Sequence, residues 1–331
     1  MGRKSREKKV RKQLFSGEAL ALLRPARATG IGLQDISTFR AFDESYSLTK
    51  VPKLYKYFDV DRLVSMLKAP SIRFTQPEYL NDPYECHLTL DRHALTADYR
   101  EFRKRRSPGI SNSELDSAVE AAESQIIIDA LIGYRRQRDN LGVLSLSEDP
   151  LQLLMWSHYG SEHAGVCVEF DVTKLMPDVG NVQPEQLSIL RPVRYTQQKV
   201  SGLPRPDTII EVLTTKSNHW SYEREWRMVR TLDMTRKVNE SIHVVDFPIE
   251  AIKAVYLGAK FPAARLGEVT KLAEAQGGSH INFVKLYIAP HRFELRQTTL
   301  EKYGWKLLHR EHHFGEAAHE ALVCLPMDDD A

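Results

Sequence analysis

Short runs rich in β-branched and aromatic residues alternate along this chain with amphipathic stretches of helical spacing, and this alternation restricts the fold more than any other feature. Residues 53–76 open the pattern, because KLYKYF, DVDRLVSMLKA and SIRFTQ predict a strand, a helix and a strand. Helices are also predicted over 113–138, over 264–276 and at PLQLLMWSHYG. Further strands are predicted at LGVLSLS, GVCVEFD, EWRMVR, IHVVDF, KAVYLG, FVKLYI and FELRQT. We therefore predict an α+β (mixed α/β) fold with a central twisted mixed sheet of about eight strands flanked by helices.

Composition divides the chain into three parts. Residues 1–45 are interpreted as a basic arm and linker, because the first twelve residues hold seven lysines or arginines and one acidic residue. Residues 46–300 carry the motifs and are predicted to form a single mixed α/β domain. Residues 301–331 form an extension with several histidines and an acidic end. The arm from Arg3 to Lys12 is either a solvated tail or an electrostatic tether for nucleic acid.

Apolar runs and cysteines set the expected compartment and exclude several classes of site. No stretch approaches the ~18 apolar residues of a membrane helix and the N-terminus has no apolar secretory segment, so we expect a cytoplasmic protein without a membrane partner. The three cysteines are widely spaced, which predicts neither a disulfide framework nor a zinc site, and Cys167 is expected to be a packed thiol. The C-terminal histidines match no metal motif, and the glycines match no phosphate loop or dinucleotide fingerprint.

The segment Asn81-Asp82-Pro83-Tyr84-Glu85 has the pattern of a helix start. Asp82 is predicted to cap a helix that begins at Pro83, with Glu85 completing the capping arrangement. The same logic predicts Asp149 as the cap of the next helix. Capping does not account for Asn81, whose amide either braces the turn or binds a ligand.

The short helix predicted over 150–160 is unusually rich in aromatic residues. Helical spacing places Trp156 and Tyr159 on one stripe and His158 on another. Purely structural helices are usually built from residues such as leucine and alanine. His158 is therefore either a hydrogen-bonded core histidine or a polar group directed into a cleft with an aromatic wall.

The segment Trp220 to Val229 carries the strongest chemical signal. If it is extended, alternation places Glu223, Glu225 and Arg227 on one face, opposite an apolar face. Two carboxylates two residues apart on a strand are ~7 Å apart, and such a pair can stabilise a cationic, sugar-like transition state. The alternatives are an exposed strand with self-compensating charges, and a Glu225 that is the buried partner of Arg227.

Four segments together, LYKYFDV, RFTQPEYLNDPYE, LSLSEDPLQLLMWSHYGSEHAGVCVEFD and WSYEREWRMV, resemble a widespread bacterial family of unknown function, DUF2971. The resemblance runs from about Lys53 to Gly258. At greater distance, the order of the elements resembles the ADP-ribosyltransferase-like fold of NAD-using toxins and defence effectors. A fold resemblance of this kind does not by itself establish an activity.

The more distant resemblance implies roles for particular residues. Lys56 or Tyr57 would lie where that fold places an arginine or histidine against the cofactor, although this chain has neither residue type there. Ser145 and Ser147 would match its Ser-x-Ser strand. Glu223 and Glu225 would match its Glu-x-Glu motif, in which the second glutamate binds the nicotinamide ribose and promotes loss of nicotinamide, while the first helps to activate the acceptor. The MWSHYG helix has no counterpart in that fold.

We therefore hypothesise an ADP-ribosyltransferase-like effector of bacterial defence, including phage defence, or of a stress response. It would cleave the nicotinamide–ribose bond of NAD as a substrate, with Glu225 as the principal catalytic carboxylate and Glu223 as its partner. The motifs are expected to converge on one cleft. The candidate ligand-binding residues are Lys56, Tyr57, Asn81, Ser145, Ser147, Trp156, His158, Tyr159, Tyr222 and Arg227. The alternatives are a non-enzymatic nucleotide or small-ligand sensor that uses the same cleft, and a nucleic-acid-associated protein that acts through its arm.

Overall fold

The computed structural model of the chain describes residues 51–178 and 186–300. The basic arm and the C-terminal histidines, with the roles considered for them, lie outside the described residues. Within these ranges, no helix combines the length and the apolar character that crossing a bilayer requires.

An eight-stranded mixed sheet forms the centre of the described chain, in the order β15-β14-β13-β5-β1-β4-β10-β6. The strands are β1 (Leu54–Phe58), β2 (Ser71–Phe74), β3 (Thr89–Leu90), β4 (Leu141–Ser147), β5 (Val166–Phe170), β6 (Ser188–Pro192), β7 (Arg194–Thr196), β8 (Ser201–Gly202), β9 (Thr215–Ser217), β10 (Glu225–Thr231), β11 (Arg236–Asn239), β12 (Ile242–Asp246), β13 (Ile252–Leu257), β14 (Asn282–Ile288) and β15 (Leu295–Thr299). Strands β13 and β14 pair in parallel, and the other neighbours in this sheet are antiparallel. The remaining strands form the small sheets β11-β12-β2, β3-β8 and β7-β9. The predicted mixed α/β class with a large mixed sheet is confirmed.

Helices lie between these strands along the described chain. The α-helices are α1 (Val60–Lys68), α2 (Arg92–Arg106), α3 (Asn112–Asp139), α4 (Leu153–Tyr159), α5 (Val172–Leu175), α6 (Pro206–Leu213) and α7 (Leu266–Ala275). Short 3-10 segments lie at Pro77–Tyr79, Asn218–Glu223, Leu232–Met234, Ile249–Ala251 and Ala263–Arg265. Two helix starts show why the local sequence folds this way. The Asp59 side chain accepts a hydrogen bond from the Arg62 amide at 2.7 Å before α1, and Ser111 and Glu114 bond reciprocally at the start of α3.

The described residues fall into two compact units. The smaller comprises residues 90–134 and 201–204, and the larger comprises the rest of the described chain. In the smaller unit, α2 packs on α3 through a cluster of Leu95, Ile126 and Ala130. Helix α2 was not predicted, because its sequence is dominated by charged residues and Leu95 is its one buried residue. The predicted limits of the single domain, at residues 46 and 300, remain a prediction.

Alternation along β1 separates the two faces of the large sheet. Leu54 and Phe58 belong to the main apolar core, which also covers α1. Tyr55 and Tyr57 point the other way, into a cluster that is rich in aromatic residues and includes Trp156 of α4. Ser147 and Glu225, which lie in register with Tyr55, share this second face, because side chains on a strand alternate between faces.

The sheet opens between β1 and β4. Strand β1 pairs with β5 along its whole length, whereas the register between β1 and β4 contains the single pair Tyr55 and Ser147. Strand β4 instead pairs with β10 from Leu141 to Ser147. Strands that diverge leave unpaired backbone and space between them, so this opening can admit side chains from both neighbouring strands.

Two predicted helix starts are wrong. No helix begins at Pro83, and the Asp82 carboxylate instead accepts a hydrogen bond from the Tyr84 amide at 2.8 Å within a turn. Asp149 likewise closes a turn onto Leu151, and α4 begins at Leu153, after its cap residue Gln152. In both places a local aspartate turn competes with the helix start for the same backbone amides.

Helix α4 is fixed to the sheet by its tryptophan. Trp156 is fully buried, and its indole N–H donates to the carbonyl of Pro150 at 2.8 Å. Gly258 allows the close approach of the loop after α4, because a Cβ atom there would lie 2.1 Å from the carbonyl oxygen of His163. The exposed side of α4, with His158 and Tyr159, is thereby held in a fixed position.

Candidate functional site

Two adjoining cavities in the larger unit contain most of the predicted site residues. The first, here called the charged cavity, has a volume of about 410 Å³ and lies at the opening between β1 and β4. The second, here called the aromatic cavity, has a volume of about 720 Å³. Both are lined by Asn81, Glu85 and Lys216, which therefore form the wall between them.

Nine of the predicted residues line the charged cavity: Lys56, Tyr57, Asn81, Ser145, Ser147, Tyr159, Glu223, Glu225 and Arg227. His158 and Tyr222 line the aromatic cavity. Trp156 lines neither cavity, because it is fully buried beneath Tyr57, with the two rings edge to face at 5.2 Å. The motifs that are distant in sequence thus meet at two adjoining cavities, and Trp156 packs under Tyr57 of the charged cavity.

Arg227 is the centre of a buried charge cluster beneath the charged cavity. Its guanidinium donates to Glu225 at 2.7 and 3.1 Å, to the carbonyl of Leu213 at 2.7 Å, and to Glu85. Burial alone would raise the pKa of Glu225, but the charges of Arg227 and Lys216 outweigh burial and lower that pKa to about 2. Glu225 is therefore ionised and is the buried partner of Arg227.

Lys216, on β9, connects this cluster to the rest of the site. Its ammonium lies 2.7 Å from Glu223, 3.4 Å from Glu225 and 3.9 Å from Glu85. It also lies 4.9 Å from the centre of the Trp220 ring. Burial opposes the charge of Lys216, but the three carboxylates more than offset this and raise its pKa.

Glu223 is not on the strand that alternation predicted. It ends the 3-10 turn Asn218–Glu223, and Arg224 then adopts a left-handed conformation with φ of 44° before β10 begins at Glu225. The predicted alternation is therefore correct for Glu225, Trp226 and Arg227 but wrong for Glu223, because the chain turns at Arg224. The carboxylates of Glu223 and Glu225 still meet, since both accept hydrogen bonds from Lys216.

A chain of hydrogen bonds crosses the site to Glu223. The Asn81 amide donates to the Tyr159 hydroxyl at 3.0 Å, and that hydroxyl donates to Glu223 at 2.8 Å. Burial raises the pKa of Glu223, while Lys216 lowers it in part. Burial and the Glu223 carboxylate raise the pKa of Tyr159, which stays protonated. Asn81 thus braces Tyr159, and Tyr159 and Glu223 can exchange hydrogen bonds with a ligand.

Lys56 and Arg62 supply positive charge at the outer side of the charged cavity. The Lys56 ammonium donates to the carbonyl of Ser145 at 2.8 Å, and Arg62 lines the same cavity from α1. Burial lowers the pKa of Lys56 to about 8, Glu225 opposes this shift, and Arg62 adds to it. Among the residues that the structure describes, neither cation forms an ion pair.

The remaining predicted polar groups hold the walls in place. The Tyr57 hydroxyl donates to the carbonyl of Asp149 at 2.6 Å, and the Ser147 hydroxyl donates to the carbonyl of Glu223 at 2.7 Å. These bonds tie β1 and β4 to the segments that carry α4 and Glu223. Tyr57 and Ser147 therefore position the site as well as line it.

Sequence reasoning missed several residues of the two cavities. Glu85 was interpreted as part of a helix cap, but it is buried against Arg227, which is 142 positions away. Lys216 and Arg62 belong to none of the four motif segments, and they reach the site through tertiary contacts alone. Tyr84 and Trp220 also line the aromatic cavity. Both are aromatic residues within the motif segments, and this could have indicated their place in the site.

The lowered pKa of Lys56 predicts the pH profile of its chemical modification. Only the neutral amine reacts with an acylating reagent, so the rate at Lys56 should rise about tenfold per pH unit and level off near pH 8. Lys53 is a matched control, because its hydrogen bond to Glu169 raises its pKa. Peptide mass spectrometry after timed labelling measures both lysines. If the acylation rate of Lys56 keeps rising above about pH 8, as that of Lys53 does, the Lys56 ammonium is not buried.

Comparison with known proteins finds one family. Residues 155–228 match the family model described as protein of unknown function (DUF2971). The matched segment includes Tyr159, Lys216, Glu223 and Glu225, and it supports the DUF2971 resemblance. No curated protein and no solved structure gives a significant match. The ADP-ribosyltransferase-like fold has no support from these comparisons.

Proposed function

We propose that this protein binds a small anionic ligand in the charged cavity, where Lys56 and Arg62 hold a phosphate or carboxylate group. The observation that carries the proposal is the charge of the lining. Four cations, Lys56, Arg62, Lys216 and Arg227, face three carboxylates, Glu85, Glu223 and Glu225. Lys216 and Arg227 are hydrogen-bonded to those carboxylates, which leaves the excess positive charge at Lys56 and Arg62.

The chemistry of these two cations suits an anion. An arginine guanidinium presents paired N–H donors that match a phosphate or a carboxylate, and a lysine ammonium has three donors. Lys56 uses one donor on the Ser145 carbonyl and has others to offer to a ligand. An anion between Lys56 and Arg62 would also relieve the repulsion between them.

The rest of the lining supplies the orientation of the ligand. Tyr159 and Glu223 provide a hydroxyl and a carboxyl group that can bond to hydroxyl groups of a ligand. The buried ion pairs below them fix their positions before a ligand arrives, which reduces the ordering cost of binding. The proposed role is therefore that of a sensor or receptor for a small polar metabolite.

Ligand-induced melting shifts test the proposal. Phosphate, pyrophosphate, citrate and neutral sugars are added separately to the full-length protein at constant ionic strength. An anion at a hundred times its dissociation constant should stabilise the folded protein by ~2.7 kcal/mol, while the neutral sugars should have no effect. If none of the anions shifts the melting temperature beyond a matched chloride control, the proposal is wrong.

A second candidate is cleavage of NAD in a defence or stress response, and strand order favours it. Strands β1, β4 and β10, which carry the residues implied by the distant resemblance, are neighbours in that order, and Ser147 pairs with both Tyr55 and Glu225. Glu225 is held by Arg227, so Glu223 is the carboxylate better placed to meet a ribose. We propose this activity as the alternative to a sensor that binds without turnover.

Nicotinamide release from NAD distinguishes the two candidates. An enzyme should release nicotinamide with repeated turnover, and a Glu223→Gln change should slow the release about a hundred- to a thousandfold by removing charge stabilisation. The melting temperature of the variant serves as the control for folding. Saturable binding of NAD without any release would remove this candidate and leave the sensor.

A further inference from the structure

The wall of the aromatic cavity contains several aromatic side chains, one of which is largely exposed. Tyr84 is 71% exposed, and the Lys199 ammonium lies 5.5 Å from the centre of its ring. Trp220 and Tyr222 face the same cavity, with their ring centres 6.1 Å apart. An exposed tyrosine contributes little to a core, so the aromatic lining requires another explanation.

The loop that presents Tyr84 is held under strain. Cys86 adopts a left-handed backbone conformation with φ of 58°, which is costly for a residue with a Cβ atom. This turn buries Glu85 and Cys86 beside Arg227 while Tyr84 points outward into the aromatic cavity. The buried ion pair between Arg227 and Glu85 therefore holds the backbone from which the exposed ring projects.

Lys216 lines both cavities and contacts a residue of each. Its ammonium contacts Glu223 on the side of the charged cavity, and it lies over the ring of Trp220 on the side of the aromatic cavity. Asn81 lines both cavities as well. A ligand with one end among the cations and the other end among the rings would lie across this shared wall.

We infer that the aromatic cavity binds a planar heteroaromatic ring of the same ligand whose anionic group lies between Lys56 and Arg62. The ligand is thus a nucleotide, whose ring contacts Tyr84, Trp220 and Tyr222 and whose phosphate lies in the charged cavity. Aromatic faces accept any planar base, and His158 and His219 at the rim offer donors and acceptors to its edge. This inference rests on the proposed binding of an anion in the charged cavity.

Calorimetric titration of the full-length protein with three probes tests the inference: pyrophosphate, adenosine and a set of nucleoside diphosphates that differ in the base. The best nucleoside diphosphate should bind at least about tenfold more tightly than pyrophosphate, since it gains the ring contacts. A Tyr84→Ala change should weaken that nucleoside diphosphate about 5- to 100-fold and leave pyrophosphate affinity unchanged. Tyr84→Phe should retain the affinity.

Phe293 supplies the matched control. It is 99% exposed and lines neither cavity, so Phe293→Ala should leave the affinity for every probe unchanged. Nucleoside diphosphates that bind no more tightly than pyrophosphate, or a Tyr84→Ala variant that binds them as wild type does, would overturn the ring assignment while the anion site stands. If only adenosine binds, the shared ligand and the anion site are both wrong. If no probe binds, the proposed function fails together with the inference.

Discussion

Replacing Arg227 by methionine is expected to reduce the free energy of unfolding by ~3 to 5 kcal/mol, since breaking a buried ion pair leaves an uncompensated charge. Arg227 is fully buried, and its removal would leave Glu85 and Glu225 without their main partner. The Leu213 carbonyl would lose its donor as well. Urea unfolding followed by circular dichroism measures the change.

Arg236→Met is the matched control for this experiment. Arg236 forms an ion pair as well, with Asp246, but both of these side chains are more than half exposed. Exposed pairs contribute little because water and salt screen them, so this variant should unfold close to wild type. An Arg227→Met protein that is as stable as Arg236→Met would show that the cluster is not a structural element of the site.

The fold was largely predictable because its strongest signals are local. Apolar runs with β-branched and aromatic residues predicted β1, β4, β5 and β10, and helical periodicity predicted α1. Where tertiary contacts decide the outcome, prediction failed. Helix α2 has one buried residue and therefore almost no amphipathic signal. The turn at Arg224 has no marker such as glycine, although the chain there adopts a left-handed conformation.

The motifs of the candidate site were predictable, but the ion pairs that connect them were not. Alternation correctly placed Glu225 and Arg227 on one face, and the structure shows that they are bonded to each other there. The other partners of Glu225 and Arg227 are Glu85 and Lys216. Local patterns indicated only a helix cap at Glu85 and no role for Lys216. Pairings across such sequence separations depend on the packing of the sheet and cannot be read from spacing. Whether Glu225 also has a chemical role remains a prediction.

A double change of Lys56 and Arg62 to methionine is expected to remove anion binding. A hydrogen bond to a charged group contributes ~1.5 to 3 kcal/mol, so each substitution should weaken binding about 10- to 100-fold, and the two together should weaken it by more. Both side chains keep apolar contacts as methionine, and neither belongs to the buried cluster, so the fold should persist. The wild-type affinity should also decline above about pH 8, because Lys56 loses its proton and its charge there.

Calorimetric titration with pyrophosphate at constant ionic strength decides whether Lys56 and Arg62 form an anion site. Wild type and the Lys53→Met control, whose lysine pairs with Glu169 outside both cavities, should show saturable binding with equal affinity. The Lys56→Met, Arg62→Met protein should show no measurable binding while retaining its melting temperature. Equal pyrophosphate affinity in the double variant and in wild type, or no saturable heat in wild type, would contradict an anion site at Lys56 and Arg62.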